Sequence, residues 1–199
     1  MELSDKQLLR KFRRGDREAF DALFRRYCAR VHATAYRLTA SWEDAEDVLQ
    51  EVFLRLARSA HTIRNGGALK TWIYRTTLNA ATDCLRARER GRLRLDEPRQ
   101  FSKVIAVESV RREAERQRGL ERESLLRQLE ALIPQLPPRQ AQVFVLRGFQ
   151  GLSHREIGQV LGISESGSKS HHSLACRRVR KLLAQANADE ELNSEGAAR

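Results

Sequence analysis

The chain has 199 residues, which is enough for one large domain or two small domains with real cores. Its 37 Lys and Arg residues outnumber its 26 Asp and Glu residues, and the net charge of +11 makes a polyanion the obvious partner. No apolar run approaches the roughly 20 residues of a membrane span, and the N-terminal sequence lacks the apolar core of a signal peptide. We therefore expect a cytoplasmic protein without membrane insertion.

The cysteines and histidines do not predict a reactive centre. Cys28, Cys84 and Cys176 are odd in number and far apart, which argues against a disulfide framework and fits a reducing compartment. Cys28 with His32, and His172 with Cys176, have i, i+4 spacing, but structural zinc sites usually take four ligands. The sequence also lacks a P-loop motif and a nucleophile paired with a base. We expect no metal, no cofactor and no enzyme activity.

The sequence predicts an all-α fold. No run of alternating β-branched residues indicates a strand, and no proline lies before Pro98. A first helix pair is predicted over residues 4–14 and 16–38, with a break at Gly15 and a cap at Asp16.

The clearest helix is predicted next, over residues 41–59. Ser41 and Asp44 make a capping-box-like start, and apolar residues from Ala45 to Leu56 keep the spacing of a buried stripe. The opposite side carries charges of both signs around Leu54. A face of this composition is also what an ordinary solvated helix presents.

A glycine-containing loop, residues 60–68, precedes a helix predicted over residues 69–90. This helix interleaves aromatic residues with cations, as proteins do that stack on unpaired bases and neutralise phosphates. Trp and Tyr are more often half-buried packing residues, but the loop directly before them favours a nucleic-acid site.

The second half of the chain predicts another domain. The apolar stripe fades over residues 96–123, which we interpret as a charged linker between a domain over 1–95 and a domain over 124–186. Within the second domain, Ser153 and Glu156 predict a capping box, Gly162 a left-handed turn and Ser164 a further cap, which is the layout of a helix-turn-helix. The small polar residues at 187–199 predict a disordered tail.

Three motifs in register resemble the extracytoplasmic-function (ECF) sigma factors, the smallest members of the bacterial sigma-70 family. DAEDVLQEVFLRL resembles the family's polymerase-clamp-binding helix, LKTWIYRTTLNAATDCLRAR its promoter-melting helix, and LPPRQAQVFVLRGFQGLSHREIGQVLGIS its second, upstream-reading domain. The match covers nearly the whole chain. It implies a region 2 helical bundle over 1–95, a region 4 helix-turn-helix over 124–186, and a protein that directs core RNA polymerase to promoters and begins to melt them.

The resemblance also implies three sets of contact residues and a regulatory partner, an anti-sigma factor. The polymerase set, expected to bind the clamp, is Asp44, Asp47, Gln50, Glu51 and Leu54. The −10 set, expected to hold an extruded base and the single-stranded non-template DNA, is Ile63, Arg64, Asn65, Lys70, Trp72, Tyr74, Arg75, Asn79 and Arg86. The −35 set, expected to contact duplex promoter DNA, is Ser164, Glu165, Lys169, Ser170, His171, Ser173, Arg177 and Arg178.

Two residues of the predicted recognition helix depart from the family pattern. Ser168 ends a Ser–Gly–Ser run where the family has Gly–Thr–Val or similar, and His172 stands where an aliphatic core residue is usual. Burying such side chains without partners costs about 1–3 kcal/mol each. We therefore expect either a slightly rotated helix or a loosely packed end.

Two other protein classes fit part of the sequence. A one-component regulator with a helical sensor domain would bind a palindrome unaided as a dimer. A sigma mimic that binds polymerase or an anti-sigma factor without opening DNA would have no use for the Trp72 to Arg75 cluster.

Overall fold

The computed structural model describes residues 3–63, 66–91 and 120–197, with side chains for 3–63, 68–90 and 126–186. All regular structure within these residues is helical, which confirms the all-α prediction. The chain divides into two compact units, one holding the described residues before the gap at 92–119 and the other those after it.

In the N-terminal unit, the described residues form four α-helices: α1 (Asp5–Phe12), α2 (Arg17–Thr39), α3 (Trp42–Ser59) and α4 (Gly66–Gly91). A 3-10 turn at Ala60–Thr62 follows α3. Each of the first three helices begins at a side-chain cap, on Ser4, Asp16 and Ser41. Local chemistry therefore sets where these helices begin.

Large apolar side chains fill the centre of this unit. Leu23 and Val31 of α2, Val52 and Leu56 of α3, and Ile73 of α4 are all buried. Aromatic rings extend the core, with Phe12 against Phe20 at 5.0 Å and Phe24 against Phe53 at 4.7 Å between ring centroids. The apolar stripe predicted on α3 is therefore core, and the other side of α3 remains open to contacts.

In the C-terminal unit, the described residues form α5 (Leu120–Leu132), α6 (Pro138–Gly148), α7 (His154–Leu161) and α8 (Glu165–Ala197), with a 3-10 turn at Ile133–Gln135 between α5 and α6. The buried residues of this unit are Ile133, Val143, Val145, Leu146, Leu152, Ile157, Ala175 and Val179, among others. Helix α8 is the longest helix described in this unit, and it packs against all three of the others, α5, α6 and α7.

Three predicted boundaries differ from the structure. Helix α4 begins at Gly66 rather than at residue 69, since the first turn has no intrahelical acceptors for its N–H groups and tolerates poor helix formers. Helix α5 begins at Leu120, so the last four residues of the predicted linker are helical, whereas most of that linker lies outside the described residues. Helix α8 continues to Ala197 where we predict a disordered tail, because no Gly or Pro interrupts residues 168–195.

Candidate nucleic-acid and partner-binding surfaces

The outer side of α3 presents most of the polymerase set. Leu54 is 47% exposed and Gln50 is exposed, while Asp47 and Glu51 are partly exposed beside them. Glu51 forms an ion pair with Arg55 one turn further along the helix. An exposed leucine bordered by polar groups has the composition of a small protein-binding surface.

Asp44 differs from the rest of the polymerase set because it faces α4. Its Oδ1 lies 3.7 Å from Cys84 Sγ, and its Oδ2 lies 3.6 Å from an Arg88 guanidinium nitrogen. Burial, and then the negative charge of Asp44, raise the pKa of the Cys84 thiol to about 11. The thiol is therefore protonated at neutral pH, and Asp44 helps to join α3 to α4.

The −10 set is divided between the surface and the core. Trp72 is half-buried, and Arg75, Asn79 and Arg86 are exposed. Because Arg75, Asn79 and Arg86 lie 3, 7 and 14 positions after Trp72, the four residues project within about 60° of one another around α4. This exposed aromatic and cationic stripe, the α4 stripe, is suited to contact a DNA strand.

Three members of the −10 set lie off this stripe. Tyr74 is 1% exposed and Ile63 is 3% exposed, so both side chains belong to the core of the unit, and their contacts with DNA stay a prediction. Lys70, at an offset of −2 from Trp72, projects from the opposite side of α4 and is half-buried. Arg64 and Asn65 lie outside the described residues, and their contacts stay a prediction.

Arg13 is a residue of this region that the sequence did not indicate. Its Nε donates to the carbonyl of Ala60 at 2.9 Å, and its guanidinium also donates to the carbonyl of Ile63. Both bonds join the end of α1 to the chain that leads into α4. Contacts over about 50 positions leave no local pattern, so no sequence signal was available.

Helices α7 and α8 form the predicted helix-turn-helix. Ser153 and Glu156 make a complete capping box at the start of α7, and Gly162 ends that helix with a left-handed φ of 67°. Ser164 Oγ then accepts from the N–H of Gly167 at 2.9 Å, in the first turn of α8. All three predicted signals are confirmed.

The turn brings the two helices unusually close at Gly158. A Cβ placed on Gly158 would lie 2.7 Å from the carbonyl oxygen of Ile163. No side chain fits there without movement of the backbone. Backbone contact at the turn therefore sets how closely the two helices approach there.

The outer side of α8 carries most of the −35 set. Lys169, Ser170, Ser173, Arg177 and Arg178 are exposed. Lys169 Nζ pairs with Glu165 at 2.8 Å, and this contact lowers the pKa of the Glu165 carboxyl. Hydroxyls and cations on one exposed helix face are the donors that reach base edges and phosphates in a major groove.

Two parts of the −35 set have other surroundings. His171 is half-buried, and its Nδ1 is enclosed with no hydrogen-bonding partner in the described residues. Arg177 and Arg178 also line an open groove of about 580 Å³ together with Gln140 of α6 and Leu174 of α8. Their cations can therefore pair with phosphate or with an acidic side chain.

The two departures from the family pattern pack together on the inner side of α8. Ser168 has 0% exposure, and its Oγ lies 3.0 Å from His154 Nδ1. The His172 ring stacks on Phe144 at 6.3 Å and meets the edge of the His154 ring at 5.5 Å. Neither a rotated helix nor a loosely packed end is needed, because Ser168 has a partner and His172 has ring neighbours.

The cysteine and histidine pairs do not assemble a larger cluster. Cys176 Sγ lies 3.7 Å from a His172 ring nitrogen, whereas His32 packs against Trp42 at 4.3 Å between centroids. Within the described ranges, no group of three or more His, Cys, Asp or Glu side chains is placed to hold a metal ion. The same part of the chain contains no helix that is both long and apolar enough to cross a membrane.

Comparison with protein families matches both units. The model described as Sigma-70 region 2 matches residues 23–91, and the model described as Sigma-70, region 4 matches residues 126–179. The first match contains α3 and α4 with all of the polymerase and −10 sets. The second contains α6, α7 and the part of α8 that carries the −35 set.

Curated relatives of similar sequence are sigma factors. The ECF RNA polymerase sigma factor SigM of Mycobacterium tuberculosis is 32% identical over 186 residues, which cover 94% of this chain and 88% of that protein. The ECF RNA polymerase sigma factor SigE of Mycolicibacterium smegmatis is 32% identical over 175 residues, which cover 86% of this chain and 65% of that protein. The chain thus spans a little under two thirds of SigE.

Two solved structures share the fold. CnrH in complex with the cytosolic domain of CnrY has a TM-score of 0.67 at 20% identity, covering 91% of this chain and 97% of that chain. The sigma factor RpoE of Bartonella quintana, in complex with the anti-sigma factor NepR, has a TM-score of 0.63 at 20% identity, covering 83% of this chain and 96% of that chain.

Proposed function

The chain belongs to the extracytoplasmic-function sigma factors of the sigma-70 family, and on that basis we propose that it binds core RNA polymerase, directs it to particular promoters and begins strand separation there. The observation that carries this proposal is the presence of both an exposed apolar and acidic face on α3 and an aromatic and cationic stripe on α4. We further propose that the protein acts in the cytoplasm beside polymerase, and that catalysis belongs to the polymerase alone.

Polymerase binding is assigned to the exposed side of α3, centred on Leu54 and Gln50. The exposed fraction of Leu54 makes it the natural anchor for an apolar pocket on the partner, while the neighbouring carboxylates suit a basic surface. Asp44 is assigned to the contact between α3 and α4 instead, because its carboxylate is already engaged by Cys84 and Arg88.

A pair of variants tests this assignment. Leu54→Arg should weaken binding of the chain to core polymerase by more than tenfold, since it places a cation on an apolar anchor without touching the core. Asp44→Asn, the matched control, should retain binding within about threefold, because a partly exposed ion pair contributes little. Fluorescence anisotropy of the labelled chain titrated with core polymerase measures both. Equal losses in the two variants would contradict the division of the set.

Promoter melting is assigned to the α4 stripe. Trp72 supplies a ring on which an unpaired base can stack, and Arg75 and Arg86 supply charge for the phosphates of the same strand. A regulator that binds intact duplex has no need of this stripe, and neither has a sigma mimic that does not open DNA. The stripe therefore favours a sigma factor over both alternatives.

Recognition of the −35 element is assigned to the outer side of α8. Lys169, Ser170 and Ser173 project from the face opposite the buried residues, where base edges are within reach. Arg177 and Arg178 follow on the same helix and are assigned to flanking phosphates. An anti-sigma factor is a further proposed partner, since the relative RpoE is seen bound to one.

Transcription in vitro with core polymerase on a pool of random promoters tests the function as a whole. We expect transcripts only when this chain and core polymerase are both present. The promoters of these transcripts should share two sequence elements at a fixed spacing. The recovered elements would supply the promoter sequence. Transcription independent of the chain, or a chain that selects a palindrome from duplex DNA without polymerase, would overturn the proposal.

A further inference from the structure

The contact between His154 and Ser168 joins the two helices of the helix-turn-helix at a single polar point. His154 is the first residue of α7, and Ser168 lies one turn into α8 on its inner side. The Nδ1 to Oγ distance of 3.0 Å is that of a hydrogen bond, and the Ser168 side chain is shielded from water. Loss of this partner would leave a buried hydroxyl unsatisfied.

A close backbone contact and buried apolar side chains lie near this bond. Gly158 of α7 meets the backbone at Ile163, and the inner side of α8 continues through Ala175 and Val179, which are both buried. Apolar contacts of this kind hold the helices together but are not directional. The His154 bond is directional, and it acts one residue before Lys169.

We propose that His154 is a positioning residue for −35 recognition: by holding Ser168 it fixes the rotation of α8 and so directs Lys169 and Ser170 at the bases. The proposal rests on the function proposed above, because it concerns the site on α8. Successive helix residues are separated by about 100° around the axis. A small rotation at Ser168 therefore displaces the tips of both outward side chains.

The surroundings of His154 favour the neutral form of its ring. It faces Arg147 of α6 and Glu165, Lys169 and His172 of α8. Burial, and then the positive charges of Arg147 and Lys169, lower the pKa of His154. A neutral imidazole has one N–H, so Nδ1 either donates to the Ser168 hydroxyl or accepts from it, and both arrangements hold the same geometry.

Two isosteric variants of His154 separate positioning from bulk packing. Asn places an amide group where Nδ1 lies, whereas Gln places it near the position of Nε2. Holoenzyme made with the full chain is titrated with promoters that differ only by single bases in the −35 element selected by the wild type. The ratio compared is the affinity for the selected promoter divided by the affinity for a single-base variant. We expect His154→Asn to keep the wild-type value of this ratio within twofold. His154→Gln and Ser168→Ala should each lower that ratio about fivefold, the equivalent of one net hydrogen bond.

The double variant H154Q/S168A should lose no more discrimination than either single variant, because both remove the same bond. Thermal unfolding of each chain distinguishes lost stability from lost specificity: a merely structural role would lower the melting temperature and leave the ratio unchanged. An unchanged ratio in His154→Gln and Ser168→Ala, or an equal loss in His154→Asn and His154→Gln, would overturn the positioning role. A wild-type holoenzyme without any −35 preference would instead overturn the proposed function, and this inference with it.

Discussion

Both units have apolar cores, but the helices that carry the binding surfaces meet their neighbours by different means. In the N-terminal unit, large apolar and aromatic side chains fill the space between α2, α3 and α4, and the polar links involving Asp44 and Arg13 lie around that core. In the C-terminal unit, α7 and α8 meet through Gly158, with Ser168 and its histidine partner on the inner side.

This difference indicates where each unit is sensitive to substitution. A thick apolar core depends on volume, so it should tolerate changes to the polar links at its edge but not a cavity at its centre. A close backbone contact leaves no space for a side chain, so adding one methyl group there should destabilise more than removing one elsewhere. Each binding surface shares the sensitivity of its own unit. Helices α3 and α4 carry the polymerase and −10 surfaces, and α8 carries the −35 surface.

The largest effect is expected from a cavity in the N-terminal unit. Leu56 has 0% exposure, and Leu56→Ala should lower the free energy of unfolding of that unit by about 2–5 kcal/mol. Leu54→Ala, two positions along the same helix but exposed, should cost less than about 1 kcal/mol. Urea titration followed by circular dichroism measures both, and similar losses in the two variants would contradict the assigned core.

A smaller effect is expected in the C-terminal unit, where an atom is added to a close contact instead of being removed from a core. Gly158→Ala should lower the free energy of unfolding by about 1–3 kcal/mol, although alanine is the better helix former, because its Cβ would meet the Ile163 carbonyl. Gly148→Ala in α6 is the matched control, since no atom lies within 4 Å of that added Cβ. A stabilising Gly158→Ala would show that the two helices are not in backbone contact.

A still smaller difference should appear with pH. Burial lowers the pKa of His154 and of His172, so the unfolded chain takes up protons at a higher pH than the folded unit does. The corresponding stability is fully present above about pH 6.5, the ordinary value for histidine, and is lost as the pH falls through the lowered pKa values. Chemical unfolding at pH 7.5 and at pH 5.5 should therefore show that the wild type loses free energy of unfolding at the lower pH. This loss should be smaller in the double variant H154N/H172N. An identical loss in both chains would contradict this linkage.

Local features of the fold could be predicted from the sequence, and long-range contacts could not. The caps at Ser41 and Ser153 and the glycine turn at Gly162 depend on neighbours within a few positions, so their residue types indicate them directly. The partner of Ser168 lies 14 positions away, and only folding shows that it is His154. The sequence could flag Ser168 as unusual but could not indicate what satisfies it.

The binding sets were predicted with the same limitation. Composition and spacing select α3, α4 and α8, but periodicity alone cannot decide which aromatic residue of α4 is buried. Tyr74 and Trp72 are two positions apart and so lie on opposite sides of the helix, and the structure places Tyr74 in the core. Asp44 is similar, because its contact with α4 depends on residues about 40 positions further along the chain.

The measurement that tests the central claim most directly is permanganate reactivity of unpaired thymines on a promoter selected from the random pool. The DNA is probed with core polymerase alone, with this chain alone, and with both together. We predict reactive thymines in the −10 element only when both are present, and much weaker reactivity when the chain carries Trp72→Ala. A promoter that stays closed with both proteins present, while the chain remains bound to polymerase, would contradict the account.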